Sequence, residues 1–272
     1  NTASLLAAGK VKYNGDDFRF KDSLGNVLSY WFDPETYNQA STTFWVKVPV
    51  LAASTTTDIY IYYGNPSAGP VSSGEATFDL FDTFNDITVD ALKWDKYGTN
   101  TNFDLVGGKA IFTAYQTATA IDSLQALLIS KDDFSYPLIA EMNTESVSNG
   151  EAIIGLVAQT VNEGYGTGFM TGQALIMQVN GGPTPTLNIL PSPSALTGAQ
   201  SNGIWSFNWP LHNEQNCNFP NVAAYSGNET SNSANFGSGK QVVLGVESGS
   251  FPTSTLQVEW VRARKYAVAE PT

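Results

Sequence analysis

The chain has 272 residues, of which 42% are hydrophobic and only 14% are charged, against about 25% charged residues in an average domain. Its 25 acidic and 13 basic residues give a net charge of −12, which repels nucleic acid and anionic lipid surfaces. A single cysteine, Cys217, excludes an internal disulfide. No stretch approaches the ~18 consecutive apolar residues that a membrane helix needs.

Short segments in which bulky and polar residues alternate open the chain. They are bounded by Asn, Gly, Pro and Asp, and so predict a small antiparallel β module over residues 1–70. A run of turn-forming residues from Gly64 to Gly74 has no periodicity and predicts the boundary of this module. The predicted strands lie near residues 18–20, 28–32, 43–50 and 57–63.

Strand-like segments then recur at intervals of roughly ten to fifteen residues, a spacing typical of antiparallel sandwiches. They predict a sandwich over residues 77–270, so the expected fold class is all-β. Helical patterns are scarce and there is no βαβ alternation, which argues against a nucleotide-binding α/β fold. The predicted strands lie near residues 109–114, 121–130, 136–142, 151–159, 174–180, 186–190, 204–209, 221–225, 240–247 and 256–266.

Several of these segments resemble a known pair of domains. Asp16–Phe20, Phe44–Pro49, Ile59–Pro66 and Phe78–Asp86 resemble the DUF2341 module of secreted archaeal and bacterial surface proteins. The closing segment Leu256–Tyr266 resembles the last strand of the concanavalin A-like (laminin-G-like) sandwich that follows this module. The resemblance implies a jelly-roll sandwich and an extracellular or cell-surface location. Such modules usually carry a strand or two before the point where this chain starts.

A segment rich in aromatic and amide side chains is the candidate ligand site. Exposed Trp and Tyr rings stack on sugars, while amides bind sugar hydroxyls. The two-residue steps between Trp205 and Trp209 put both rings on one face, which lies either in the core or towards a ligand. Asn228, in Asn228-Glu229-Thr230, is a candidate glycosylation site. The candidate ligand-binding residues are Trp205, Trp209, Asn213, Asn216 and Tyr225.

Acidic residues crowd the segment that opens the sandwich, and oxygen-rich clusters of this kind suit Ca²⁺, whereas one histidine and one cysteine are too few soft ligands for zinc. The resemblance implies a structural calcium ion bound by Asp82, Asp86 and Glu259. The alternative is a solvated acidic turn at the start of a domain.

The nearest candidates for catalytic carboxylates are Glu141 and Glu145, whose even spacing puts them on one face of a strand. Asn143 stands between them, where an aspartate would be wanted in a glycosidase of this shape. We therefore expect no enzyme, and interpret the chain as an extracellular, non-catalytic surface or adhesion module that binds a polysaccharide or cell-surface glycan. A polysaccharide-degrading glycoside hydrolase is an alternative.

A second alternative follows from the start of the chain. If the first strands of the module are missing, an unpaired edge lies beside the strands near 43–50 and 57–63. Such an edge is a template for another chain, which predicts a structural subunit of an extracellular filament assembled by β-strand donation between copies. Otherwise, upstream residues of the same polypeptide fill the gap.

Overall fold

The structure is a computed structural model. It describes residues 1–51, 55–98, 101–115, 125–148, 151–158, 174–180, 186–190, 196–197, 203–211, 214–218, 225–228, 239–247 and 252–265.

The described residues form short helices and many strands. The helices are α1 (Thr2–Ala7), the 3-10 helix η1 (Pro34–Thr36) and α2 (Gly74–Thr77). The first strands are β1 (Arg19–Asp22), β2 (Val27–Leu28), β3 (Tyr30–Phe32), β4 (Phe44–Val46), β5 (Ile59–Tyr62) and β6 (Leu80–Asp82). Further strands are β7 (Trp94–Tyr97), β8 (Thr101–Leu105), β9 (Ala110–Tyr115), β10 (Gln125–Ser130), β11 (Leu138–Ser148), β12 (Glu151–Ala158) and β13 (Ala174–Asn180). The remaining strands are β14 (Thr186–Leu190), β15 (Leu196–Thr197), β16 (Gly203–Leu211), β17 (Glu214–Asn218), β18 (Tyr225–Asn228), β19 (Lys240–Glu247) and β20 (Thr253–Lys265).

The segment Asn1–Phe81 forms one compact unit around an aromatic core. Its three-stranded antiparallel sheet has the order β2-β1-β5, and a separate pair joins β3 to β4. Because side chains alternate along a strand, Phe20 points into the core while its neighbours Arg19 and Lys21 point away. The core cluster consists of Val11, Phe18, Phe20, Leu28, Tyr30 and Phe32.

This first unit ends later than the sequence predicts. The hydroxyl of Ser73 accepts the N–H of Ala76 at 3.2 Å and caps α2. Phe78 and Phe81 then pack on Trp31, with ring centroids 5.8 and 5.2 Å from its own. The turn-forming run therefore leads into an anchored segment, which places the end of the unit at Phe81 instead of near residue 70.

The segment Asp82–Thr272 forms a second unit, built from two antiparallel sheets. The seven-stranded sheet has the order β15-β14-β13-β12-β19-β10-β7, and the eight-stranded sheet contains the path β18-β17-β16-β11-β20-β9-β8. Apolar residues of both sheets, including Met142 and Ile154, are completely buried. The predicted all-β fold with a sandwich is confirmed. Among the described residues, no helix is long and apolar enough to span a membrane.

Strand β11 lies in the middle of the eight-stranded sheet, between β16 and β20. Its register against β20 shifts between Asn143 and Thr144, and again between Thr144 and Ser146. Such bulges bend a strand and change the direction of its side chains. The second shift leaves Glu145, the second candidate carboxylate, without a partner residue on β20, so a bulge lies at Glu145.

Candidate active site

The side chains of β11 alternate between the core and the opposite face of the sheet. Ala140 and Met142 are completely buried on the core face. Glu141 lies between them in sequence and therefore points to the other face. Its lateral neighbours are Ser206 on β16 and Arg262 on β20, so these three polar side chains form one row across three strands.

Both carboxylate oxygens of Glu141 are occupied. Arg262 donates from Nε to Oε2 at 2.8 Å, and Ser206 donates from Oγ to Oε1 at 3.0 Å. Nε of Arg264 lies 3.7 Å from Oε2. Glu141 is only 8% exposed, so the row holds this carboxylate in a fixed orientation within a region of low water content.

Two further residues continue this face of the sheet. The guanidinium carbon of Arg262 lies 4.5 Å from the ring centroid of Trp260, a cation–π arrangement. Asn208 lies two residues beyond Ser206 on β16 and is 7% exposed. Its Oδ1 atom is buried and has no hydrogen-bond partner among the described residues.

Beyond the bulge the face becomes more open and carries a second polar group of residues. Nζ of Lys109 lies 2.7 Å from Oε1 of Glu145 and 4.0 Å from Oε1 of Glu259. Asn143 donates from Nδ2 to the other oxygen of Glu259 at 2.5 Å. The side chains of Glu145 and Glu259 are 44% and 28% exposed, so both carboxylates are accessible from solvent.

The carboxylates raise the pKa of Lys109. The main cause is the hydrogen bond with Glu145, and the charges of Glu145 and Glu259 add to it, while partial burial acts in the opposite direction. Lys109 is therefore a cation held between two anions. We call the set Asn143, Glu141, Glu145, Glu259, Lys109, Ser206 and Arg262 the polar face.

The structure corrects the ligand-facing alternative for Trp205 and Trp209. Trp205 lies opposite Met142, and Trp209 lies opposite Leu138, on the core face of the sheet. Both rings are completely buried and so offer no surface to a sugar. The even spacing correctly puts them on one face, but the partner strand decides that this face is the core.

The structure gives strand positions for only some of the other predicted site residues. Asn216 lies on β17 opposite Asn208, and Tyr225 lies on β18 opposite Cys217. Asn228, the candidate glycosylation site, ends β18. Asn213 lies outside the described residues.

The predicted calcium ligands have other partners in this structure. Oδ1 of Asp82 accepts the N–H of Phe84 at 2.8 Å, and Oδ2 accepts Nε1 of Trp94 at 2.7 Å. Asp86 is exposed, and Glu259 belongs to the polar face. No group of three or more metal-binding side chains occurs in the part of the chain that the structure describes, so the calcium site stays a prediction.

Sequence reasoning identifies Glu141, Glu145 and Glu259 but misses Arg262 and Lys109. Arg262 carries a recognisable signal, because it stands between the apolar residues Val261 and Ala263 of a predicted strand. A charge at such a position needs a partner on the neighbouring strand. Lys109 lies far away in sequence, immediately before β9, and only the pairing of β9 with β20 brings it to the site.

Residues 14–97 match a family model described as a domain of unknown function, DUF2341. The resemblance of this segment is thereby confirmed. No curated protein sequence matches the chain significantly.

Among solved structures, one similar chain comes from work on endo-acting O-glycanases that members of the human gut microbiota express to initiate mucin breakdown. It is 12% identical, with 70% of this chain and 100% of that chain covered and a TM-score of 0.50. LamAcat from Zobellia galactanivorans is 16% identical, with coverages of 71% and 100% and a TM-score of 0.49. A prokaryotic β-1,3-1,4-glucanase (lichenase) from a mouse hindgut metagenome is 12% identical, with coverages of 69% and 99% and a TM-score of 0.46.

The comparisons contradict the prediction of a non-catalytic module, because the similar chain with a TM-score of 0.50 comes from work on O-glycanases that initiate mucin breakdown. At this level of identity the likeness establishes the fold alone. The adhesion and lectin-like functions expected from the sequence have no counterpart among them.

Proposed function

We propose that the second unit, Asp82–Thr272, hydrolyses glycosidic bonds in a polysaccharide, and that the protein acts outside the cell. The observation that carries this proposal is the position of Glu141 and Glu145 on the polar face of β11, in the middle of the eight-stranded sheet. Two carboxyl groups on either side of the scissile bond are what most glycoside hydrolases need.

The two carboxylates have different surroundings, which suits different roles. Glu145 is 44% exposed and can reach a substrate, and it is the anion paired with Lys109, so we assign it the role of the base that activates the attacking water. Glu141 is oriented by Arg262 and Ser206, which suits it to stabilise the positive charge that develops on the sugar.

Asn143 takes the place between the two glutamates where a third carboxylate was expected. In the structure its amide donates to Glu259 on the neighbouring strand, so a carboxylate still lies next to this position. Glu259 therefore supplies from β20 the negative charge that the side chain of Asn143 lacks. This arrangement supports the proposal despite the departure in sequence.

Support for the substrate class comes from the similar chain with a TM-score of 0.50, whose description concerns O-glycanases that initiate mucin breakdown. We propose a polysaccharide of this broad kind as the partner of the second unit. The filament alternative has no support among the comparisons, and a structural calcium ion stays a prediction.

The test is release of reducing sugar from laminarin, mixed-linkage β-glucan and mucin by the full chain. Glu145→Gln keeps the shape of the side chain but removes its negative charge and its basicity, and we expect a loss of about 100-fold or more in kcat. Glu35→Gln, an exposed change in the first unit, is the matched control and should leave the rate unchanged.

Thermal melting of each variant accompanies the assay, because a fall in activity through unfolding would not bear on the chemistry. If no substrate releases sugar, or if Glu145→Gln retains the full rate, the proposed activity is wrong. Glu141→Gln is less informative, since it also disturbs a buried ion pair.

A further inference from the structure

Strand β5 is exposed along its whole length, although its residues are large and apolar. The exposed fractions of Ile59, Tyr60, Ile61 and Tyr62 are 42%, 48%, 45% and 52%, and Tyr63 beyond the strand is 43% exposed. In the described part of the first unit, β5 is an edge strand that pairs with β1 alone. An exposed apolar edge of this kind is usually paired or covered in native proteins.

The side of β5 that faces the core is as open as the opposite side. Ile61 lies opposite Phe20, which is 5% exposed and belongs to the aromatic core. Ile61 and Ile59 therefore point to the core side of the sheet, yet nearly half of each side chain is exposed. The apolar layer thus continues to the sheet edge and stops there without a cover.

The backbone of β5 also points outwards at these positions. Asp22 donates its N–H to the carbonyl of Asn26, on the side of β2. Because the direction of the N–H and C=O groups alternates along a strand, the N–H and C=O of Phe20 also point towards β2. Its partner Ile61, like Ile59, then directs its N–H and C=O away from β1, to the open edge.

We propose that β5 binds the β5 strand of a second copy of this chain, in antiparallel orientation, with a twofold axis at Ile61. A twofold axis perpendicular to the sheet keeps each face on its own side. Residues that lie opposite each other across the axis must therefore be both odd-numbered or both even-numbered. This places Ile61 opposite Ile61, Tyr60 opposite Tyr62 and Ile59 opposite Tyr63 of the second copy.

The same register satisfies the backbone. Ile61 is one of the residues whose N–H and C=O point outwards, so two copies of Ile61 exchange a pair of hydrogen bonds across the axis. The facing tyrosines form aromatic cross-strand pairs, which stabilise antiparallel sheets. Since both requirements follow from one register, the edge is complementary to itself.

Charge at this edge does not oppose a second copy. Residues 59–63 carry no charged side chain, so two copies meet here without the repulsion that a net charge of −12 causes elsewhere. The contact is isologous and uses both edges at once. It therefore closes at two copies and does not extend into a filament.

The proposal does not depend on hydrolase activity, and it is tested by the mass of the full chain in solution. Sedimentation or light scattering over a range of concentrations should show twice the mass of one 29.2 kDa chain. Ile61→Lys places two like charges opposite each other on the axis and should return the protein to one chain. Val27→Lys, at an exposed residue of β2 on the other edge of the sheet, is the control and should stay dimeric.

A cross-link checks the register independently. With Ile61→Cys, the Cα atoms of the two cysteines would lie about 5.5 Å apart, within the ~4.4–6.8 Å that a disulfide spans. Oxidation should therefore join two chains at this residue, as mapped by peptide mass. Val27→Cys should give no such product. A wild-type protein of one chain at all concentrations overturns the proposal, and so does a dimer that survives Ile61→Lys.

Discussion

Arg262 donates from Nε to Oε2 of Glu141 at 2.8 Å, and the two side chains are 5% and 10% exposed. The pair joins β20 to β11 on the polar face of the sandwich. Taking two charges out of water is costly, and their attraction offsets this cost only when both partners are present. The presence of the pair is therefore weak evidence for a net gain in stability, but each partner depends on the other.

Removal of one partner should be strongly destabilising. We expect Arg262→Met to lower the free energy of unfolding by about 3 kcal/mol, because it leaves the buried Glu141 without its main partner. The double variant Glu141→Leu with Arg262→Met should recover most of this loss. Denaturant unfolding of the single and double variants measures both effects.

The exposed ion pair between Lys131 and Asp95 provides the matched control, with side chains 40% and 59% exposed. Lys131→Met should cost less than about 1 kcal/mol. If Arg262→Met costs no more than this control, the buried pair is not a structural element of the face.

Gly245 on β19 should not tolerate a side chain. Its φ is +153°, and an added Cβ atom would lie 2.0 Å from the carbonyl oxygen of Ala126. Since the backbone of β10 would have to move, we expect Gly245→Ala to cost about 3 kcal/mol, measured by denaturant unfolding. Gly69→Ala, where an added Cβ meets no atom within 4 Å, should be close to neutral.

The sequence predicts strands well and faces less well. Most strands of the sandwich are predictable because bulky residues alternate with polar ones, as in Leu256-Gln257-Val258-Glu259. The direction of Trp205 is not, because either side of a strand can face the core. Only the pairing of Trp205 with Met142 on β11 decides it.

The candidate site shows the same limit. Glu141 and Glu145 are recognised from their spacing on one strand, but the partners that distinguish them come from β9, β16 and β20. The bulge after Asn143 is also a property of the ladder with β20. The two contacts of Glu141 join residues 65 and 121 positions apart, and one sequence gives no direct sign of such pairings.

Burial lowers the pKa of Lys240 below its ordinary value of 10.5, while the charge of Asp133 acts in the opposite direction. The unfolded chain therefore binds this proton more tightly than the folded protein does. The resulting penalty is complete below the folded-state pKa. It is lost as the pH rises through that value towards 10.5.

Replacement of Lys240 by an apolar side chain should remove this penalty. We expect Lys240→Met to raise the free energy of unfolding at pH 7 by up to about 1 kcal/mol, and the gain to shrink at alkaline pH. Thermal melting of both proteins across this pH range measures it. A loss of stability at pH 7 would show that the interaction with Asp133 outweighs burial.

Asp82 should stabilise the start of the sandwich through its hydrogen bonds with Phe84 and Trp94. Phe84 has a φ of 51°, which is unfavourable for a residue other than glycine, and the carboxylate holds this turn. Asp82→Ala leaves two buried donors without partners, so we expect a loss of about 3 kcal/mol in the free energy of unfolding. Asp86→Ala, at an exposed position, should change it by less than about 0.5 kcal/mol.

Repeating these measurements with calcium and with a chelator tests the metal prediction at the same residues. Because both oxygens of Asp82 already accept N–H groups, we expect the loss in Asp82→Ala to be the same in both conditions. A calcium ion bound only by the folded state would instead stabilise the wild type by mass action. In that case the chelator would lower the melting temperature of the wild type and leave that of Asp82→Ala unchanged, and Asp82 would be a metal ligand.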